Sequence, residues 1–260
     1  MMPFDFRRPA SLAEALMAGE GAAEPRYLAG GQSLVAALKL RLAQPDRLID
    51  ITRLPELRQI RREPGRLVIG AAVTHAEMAG LSDCAALADL SGSIGDLQVR
   101  NMGTLGGALA HADPASDHAA AVLGLGAEIH TDRRVITADD FFLGMFETAL
   151  EPGELVIEIA YPLPLQAAYA KVRNPASGYP VVGVFVARTR ECIRVAVTGA
   201  GDCAFRLSAF EAALARDFSA AALAGLVVSP DALNRDLHAS AEYRAHLVGV
   251  LAARAVEAAR

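Results

Sequence analysis

The sequence predicts an α+β chain, and two observations carry that prediction. In the last third, three β-rich runs come first and two helical runs follow, the order expected of a sheet covered on one face by helices. Before that, short strand-like runs alternate with helical spacings, punctuated by Gly and Pro. Ser11 to Ala18 places Leu12, Ala15, Leu16 and Ala18 at helical spacing, and Ser11 with Glu14 forms a capping-box pattern. Arg26 to Ala29 predicts a strand that runs into Gly30-Gly31, and Ser33 to Leu42 predicts a helix. Arg47 to Ile51 predicts a second strand, closed by Pro55. Leu57 to Ile60 and Leu67 to Ala71 predict strands around a Glu63-Pro64-Gly65 turn. Thr74, with Glu77 three residues on, caps a short helix, and Leu81 to Arg100 is mostly helical. Gly103 to Ala110 follows as a small-residue loop, and Ser116 to Leu123 as a helix, with Pro114 available at a helix start. A hairpin joins Glu128–Thr131 to Val135–Thr137, and a strand over Leu155 to Ile159 ends at Pro162. Strands over 167–172, 181–187 and 193–198 precede helices over 205–215 and 239–259. The boundaries fall near 55 and 165, giving units 1–55, 56–165 and 166–260.

Composition excludes several classes. With 53% hydrophobic and 21% charged residues over 260 positions, the chain is globular rather than disordered. A net charge of −5 without a long basic run argues against nucleic acid as a partner. Cys84, Cys192 and Cys203 are scattered and form no C-x-x-C, so a zinc or iron–sulfur site supplied by this chain alone is not expected. An odd cysteine count points to a reducing compartment. The N-terminal residues lack a signal-peptide layout. The longest apolar run, Ala220 to Val228, is nine residues, against about 20 for a membrane span. The expected location is therefore the cytoplasm.

Two glycine segments carry the chemistry. Leu28-Ala29-Gly30-Gly31-Gln32-Ser33 and Thr104-Leu105-Gly106-Gly107-Ala108 each let backbone approach a ligand without a Cβ in the way. Consecutive amides there would point at an anion, and Ser33 and Thr104 add hydroxyls. Together the two segments would clamp the two phosphates of a dinucleotide; singly, each is also an ordinary tight turn. Asp117 offers a carboxylate at a helix start, for a ligand hydroxyl or for the helix dipole. Lys171 would neutralise a ligand charge or stand solvated at a strand end, and Tyr179 would stack on a ring or be an ordinary edge-of-sheet tyrosine. Six histidines form no H-x-x-x-H, so surface or capping positions are expected rather than a metal site. Gly199 to Ala204 matches G-x-G-x-x-A, but Phe205-Arg206 intervenes before the helical region and no second strand follows, so it reads as a strand-end turn rather than a dinucleotide fingerprint. The last helix predicts a core stripe of Tyr243, Leu247, Val250, Leu251, Ala255 and Ala258, with Glu242, Arg244, Arg254 and Glu257 solvated. No acid–base or nucleophilic constellation is evident, so no catalytic residue is named.

The segments AGGQSLV (29–35), LKLRLAQPDRLIDITRLPEL (38–57), IGAAVTH (69–75), QVRNMGTLGGALAHADPASD (98–117) and ELVIEIAYP (154–162) occur in one order. With KVRNPASGYPVVGVFVA (171–187) and DLHASAEYRAHLVGVLAARAV (236–256), they cover essentially the whole chain. In that order they resemble the FAD-binding subunit of the molybdenum hydroxylases, which includes the carbon monoxide dehydrogenase medium subunit and the flavin portion of xanthine dehydrogenase. The resemblance implies a PCMH-type (vanillyl-alcohol oxidase-like) fold. Two α/β subdomains, 1–55 and 56–165, would bind FAD between them, and 166–260 would form the family's C-terminal sheet-plus-helices domain. It implies FAD pyrophosphate contacts at Leu28, Ala29, Gly30, Gly31, Gln32, Ser33, Leu34 and Val35, and at Thr104, Leu105, Gly106, Gly107 and Ala108. It further implies contacts at Ile94, Asp117, Val156 and Lys171, with an aromatic near the flavin ring at Tyr179.

Two positions depart from the family pattern. Ala108 stands where Asn or Ser is commoner, leaving only its backbone amide to serve. Gly178 stands where Asp would precede the aromatic. The implied function is electron transfer: a large molybdenum-cofactor subunit oxidises substrate, a small subunit with two 2Fe–2S clusters relays electrons, and FAD on this chain passes them to an acceptor. The implied assembly is a dimer of heterotrimers. The alternatives are a self-sufficient FAD oxidoreductase and a scaffold that has lost FAD.

Overall fold

The computed structural model describes residues 2–260. The chain folds around three sheets in succession. The first carries β1 (Asp5–Arg7), helix α1 (Leu12–Gly19), β2 (Pro25–Leu28), α2 (Leu34–Lys39) and β3 (Arg47–Asp50). Its order is β1-β3-β2, all parallel, because a helical crossover rather than a hairpin joins β1 to β2 and β2 to β3. The Ser11 hydroxyl accepts from the Glu14 amide at 3.2 Å, which starts α1 as its sequence predicts. Ala15 and Ile49 close the interface between helix and sheet.

After a 3-10 turn at Pro55–Leu57, the second sheet opens with β4 (Ile60–Glu63) and β5 (Arg66–Gly70). A helical layer follows: α3 (His75–Met78), α4 (Ala85–Gly92), α5 (Leu97–Met102), α6 (Leu105–His111) and α7 (Asp117–Leu125). Then come β6 (Glu128–Thr131), β7 (Val135–Thr137), α8 (Ala138–Phe141), the small hairpin β8 (Phe142–Gly144) and β9 (Glu147–Thr148), and β10 (Val156–Pro162). The sheet order is β4-β5-β10-β6-β7, antiparallel throughout. Leu67, Ile69, Ile129 and Ile159 join Leu87, Leu105, Leu109 and Val122 of the helices in one fully buried core.

The third sheet is the meander β11 (Gln166–Arg173), β12 (Pro180–Arg188), β13 (Ile193–Thr198) and β14 (Phe205–Arg206). Helices α9 (Ser208–Arg216) and α10 (Ala241–Ala258) follow it. Period-two alternation sends Val182, Val184, Val186, Val195 and Val197 toward α9 and α10. It sends Phe185, Ala187 and Ala196 the other way, into the core of the second unit. The sheet is therefore covered on both faces, not on one: α7 packs on its far side, where Gly124 leaves room for the Phe185 ring.

Several element expectations are corrected. The strand expected over Leu57 to Ile60 lies at Ile60–Glu63, because Pro55 starts a 3-10 turn. The helix expected from Leu81 to Arg100 breaks at Ser93–Asp96, where Gly95 adopts a φ of 48° and Asp96 caps a new helix. The small-residue loop after Gly103 is helix α6. Pro114 precedes α7 rather than entering it; Ser116 is the cap residue. The helix expected from Phe205 starts at Ser208, because Phe205 and Arg206 form a short edge strand antiparallel to β13; Gly199 to Ala204 is the strand-end turn that joins the two. On α10 the buried face includes Arg244 and not Tyr243, which is 49% exposed. Arg244 is drawn in because its guanidinium donates to the carbonyls of Val181 and Gly199 and pairs with Asp236 at 2.7 Å.

Candidate functional site

The first glycine segment leaves β2 and turns into α2. Gly31 has a φ of 73°, the left-handed region that only Gly adopts without strain. Gly30 has a different reason to lack a side chain. A Cβ there would overlap the Met102 carbonyl, with its carbon at 2.7 Å and the Cα of Gly103 at 2.9 Å. Gly30 is thus where the first unit presses onto the end of α5. Among the described residues, the amides from Gly30 to Leu34 find no acceptor, and the first return bond is Val35 N to Gly31 O at 3.1 Å. The Ser33 hydroxyl does not cap the helix. The result is a run of free donors on half-buried backbone, suited to a diphosphate.

The second segment is built differently. The Leu105 amide donates to Val73 O at 3.0 Å, Gly106 to Ala71 O at 2.8 Å, and Ala108 to Thr104 O at 3.0 Å. The Gly107 amide is capped by the Thr104 hydroxyl at 3.3 Å. The nest of free amides expected here is therefore absent, and the Ala108 amide is already committed. The cause is that Thr104 caps a helix whose first turn is stitched to the second sheet. Thr104, Leu105 and Gly106 are buried; Gly107 is exposed and Ala108 half-buried. A Cβ on Gly107 would lie 3.8 Å from that of Ala29, so the two segments face each other across bare backbone. One wall donates and the other clears space. That cradle fits the diphosphate of a dinucleotide.

A buried polar node lies beyond α6. Asp117 is 4% exposed. Its Oδ1 accepts from Lys171 Nζ at 2.7 Å and from Tyr169 OH at 2.8 Å. Lys171 also donates to Gly178 O at 3.2 Å. Burial pushes the Asp117 carboxyl above its usual range, against the pull of Lys171 and Tyr169. Lys171 is thus no solvated strand-end lysine but the clamp between α7 and the β11–β12 turn. Gly178 has a φ of 76°, and a Cβ on it would come 3.2 Å from Gly95 Cα. The close approach of two backbones accounts for glycine where the family pattern has Asp. Ile94 sits half-buried in the α4–α5 break beside this contact. Tyr179 follows, 46% exposed, with its hydroxyl pushed up by burial and by Asp113 and Asp117. Val156 lies apart, 3% exposed within the core on β10. The structure thus gathers the two segments, and separately Ile94, Asp117, Lys171 and Tyr179.

Two histidines expected at the surface or at caps are buried. His118 Nε2 lies 3.0 Å from His75 Nδ1. Spacing in the sequence does not reveal such a pair, because 43 residues separate its members. No cluster of three metal-ligating side chains occurs among the described residues.

Residues 2–164 match the family model for the FAD-binding domain in molybdopterin dehydrogenase. The chain belongs to the FAD-binding medium subunits of the molybdenum hydroxylase family. It is 36% identical to the carbon monoxide dehydrogenase medium chain of Hydrogenophaga pseudoflava, over 98% of this chain and 96% of that one. It is 38% identical to the glyceraldehyde dehydrogenase medium chain of Sulfolobus acidocaldarius, over 78% of each. Its fold superposes on a chain of reconstituted CO dehydrogenase from Oligotropha carboxidovorans with a TM-score of 0.89. That match is 32% identical and covers 99% of this chain and 98% of the other. As a family member it is a flavin component of an oxidoreductase, with FAD as its cofactor and the α+β PCMH-type fold. No helix among the described residues is long and apolar enough to cross a membrane.

Proposed function

We propose that this chain is the electron-transfer subunit of a molybdenum-hydroxylase complex. It receives electrons from 2Fe–2S clusters on a small partner, which draws them from a molybdenum cofactor on a large partner, and delivers them to an external acceptor. The assembly would be a dimer of heterotrimers in the cytoplasm, consistent with three free cysteines. The units would be 1–55, 56–165 and 166–260, a division supported by one larger sheet in each.

The observation that carries the reading is the run of free amides from Gly30 to Leu34 opposite the bare backbone of Gly107. Those amides, with Ser33, would hold the diphosphate, which supports contacts along Leu28 to Val35, with Thr104 to Ala108 as the facing wall. In the second segment the contribution is steric clearance rather than donation. Asp117 and Lys171 would hold the far end of the dinucleotide beside Ile94 and Tyr179. Bound FAD would supply the redox chemistry, which no side chain here provides. The chain itself would bind and orient the cofactor.

The test is purification of the chain alone, followed by its visible spectrum and identification of the cofactor released on denaturation. FAD is expected. A colourless protein that stays colourless after FAD addition overturns the assignment. Co-purification with iron- and molybdenum-containing subunits distinguishes this role from that of a self-sufficient oxidoreductase.

A further inference from the structure

His75 and His118 form a buried pair that the flavin reading does not use. His75 opens α3 just after its cap residue Thr74, and His118 is the second residue of α7. They are 5% and 0% exposed. One nitrogen of each ring is engaged with the other histidine. The remaining nitrogen of His118, Nδ1, is buried without a partner. The remaining nitrogen of His75, Nε2, lies under the turn between the two glycine segments: a Cβ on Gly103 would sit 2.7 Å from it. Gly103 in turn abuts Gly30. The polar node continues on the other side, since Asp117 directly precedes His118.

Proton placement in this pair is determined by what each nitrogen can meet. A buried N–H without an acceptor is costlier and rarer than a buried lone pair without a donor. His118 therefore carries its proton on Nε2 and donates to His75 Nδ1. With Nδ1 accepting, a neutral His75 must carry its own proton on Nε2. Both rings are neutral near pH 7. Burial pushes His75 down to about 4, and it pushes His118 well down too, with His75 and Lys171 adding to the effect.

We propose that His118 locks His75 as an Nε2–H donor beneath Gly103, and that this donor binds an anionic oxygen of the dinucleotide at the junction of the two glycine segments. The inference rests on the FAD reading and adds a buried side-chain donor to the backbone amides and Ser33. It also explains why a polar pair occupies a place where an apolar pair would fill the same volume.

The experiment is nitrogen-15 NMR of the full chain, recorded first without FAD and then during FAD addition. The expected result is a protonated Nε2 and a bare Nδ1 on His75 in the free chain. On FAD addition, the His75 Nε2 resonance moves together with the Gly30 to Leu34 amides. His75→Leu is expected to weaken FAD binding about tenfold, the worth of one hydrogen bond to a charged group. His118→Leu is expected to do nearly the same, whereas His118→Gln, which keeps an N–H toward His75, restores both tautomer and affinity. An Nδ1-protonated His75 overturns the proposal, and so does FAD binding that moves the glycine amides and leaves His75 still. FAD addition that moves no resonance overturns the flavin reading and this inference together.

Discussion

The two glycine segments look alike in sequence and are opposite in structure. From Gly30 to Leu34 the backbone donors are free, and the chain enters a short helix whose Ser33 leaves the first turn uncapped. From Leu105 to Ala108 every amide is already spent, on the second sheet or on Thr104. Gly-Gly serves donation in the first case and close packing in the second. Gly106 fits tightly on Ala71, and Gly107 keeps the facing surface bare. A glycine pair therefore marks a place where backbone must come close, without saying to what.

Four measurements would break or sharpen that contrast. The largest effect belongs to Gly30→Ala, whose Cβ would collide with the Met102 carbonyl. Because neither backbone can yield without parting the segments, FAD affinity should fall about a hundredfold, or ~3 kcal/mol. Flavin titration of the purified variant checks this; unchanged affinity would show that the Gly30 contact does not shape the cradle. Gly106→Ala should act on stability instead. Its Cβ would lie 2.5 Å from that of Ala71, costing about 1–3 kcal/mol in urea unfolding. FAD affinity of the folded fraction should change little, and a large loss would contradict the committed amides.

Thr104→Val removes the cap on the Gly107 amide and should cost about 1 kcal/mol, visible as a lowered Tm. The fourth measurement is a pH dependence beneath the second segment. The unfolded histidines titrate near 6.5 and His75 in the fold near 4. Between those values the unfolded chain binds more protons, so the contribution is fully present above about 6.5 and is lost as pH falls toward 4. The urea midpoint should drop across that window, and the drop should shrink in His75→Leu. An identical pH profile for both proteins would mean that the buried pair does not control it.

Much of the fold was legible because local chemistry determines it. The Ser11 and Thr74 caps, the Glu63-to-Arg66 hairpin turn and the β-rich run of β12 each depend on near neighbours. The family was legible because many short segments keep one order over the whole length. The α6 helix was missed because its run of small residues is as compatible with a loop as with a helix, and the deciding bonds come from Val73 and Ala71. Arg244 was assigned to solvent because helical spacing shows where a residue faces, not that two strand-end carbonyls wait there.

By itself, then, the sequence determined the α+β class, most of the strands and helices, and the two places where glycines let backbone come close to a neighbour. Those features follow from propensity, caps and glycine geometry, which act within a few residues. Only the tertiary structure decided which glycine segment donates, and that Lys171 and Asp117 close a buried node. It alone joined His75 to His118. Each of these depends on partners far apart in the chain, and low exposure makes an unpaired polar group there costly enough to dictate the pairing.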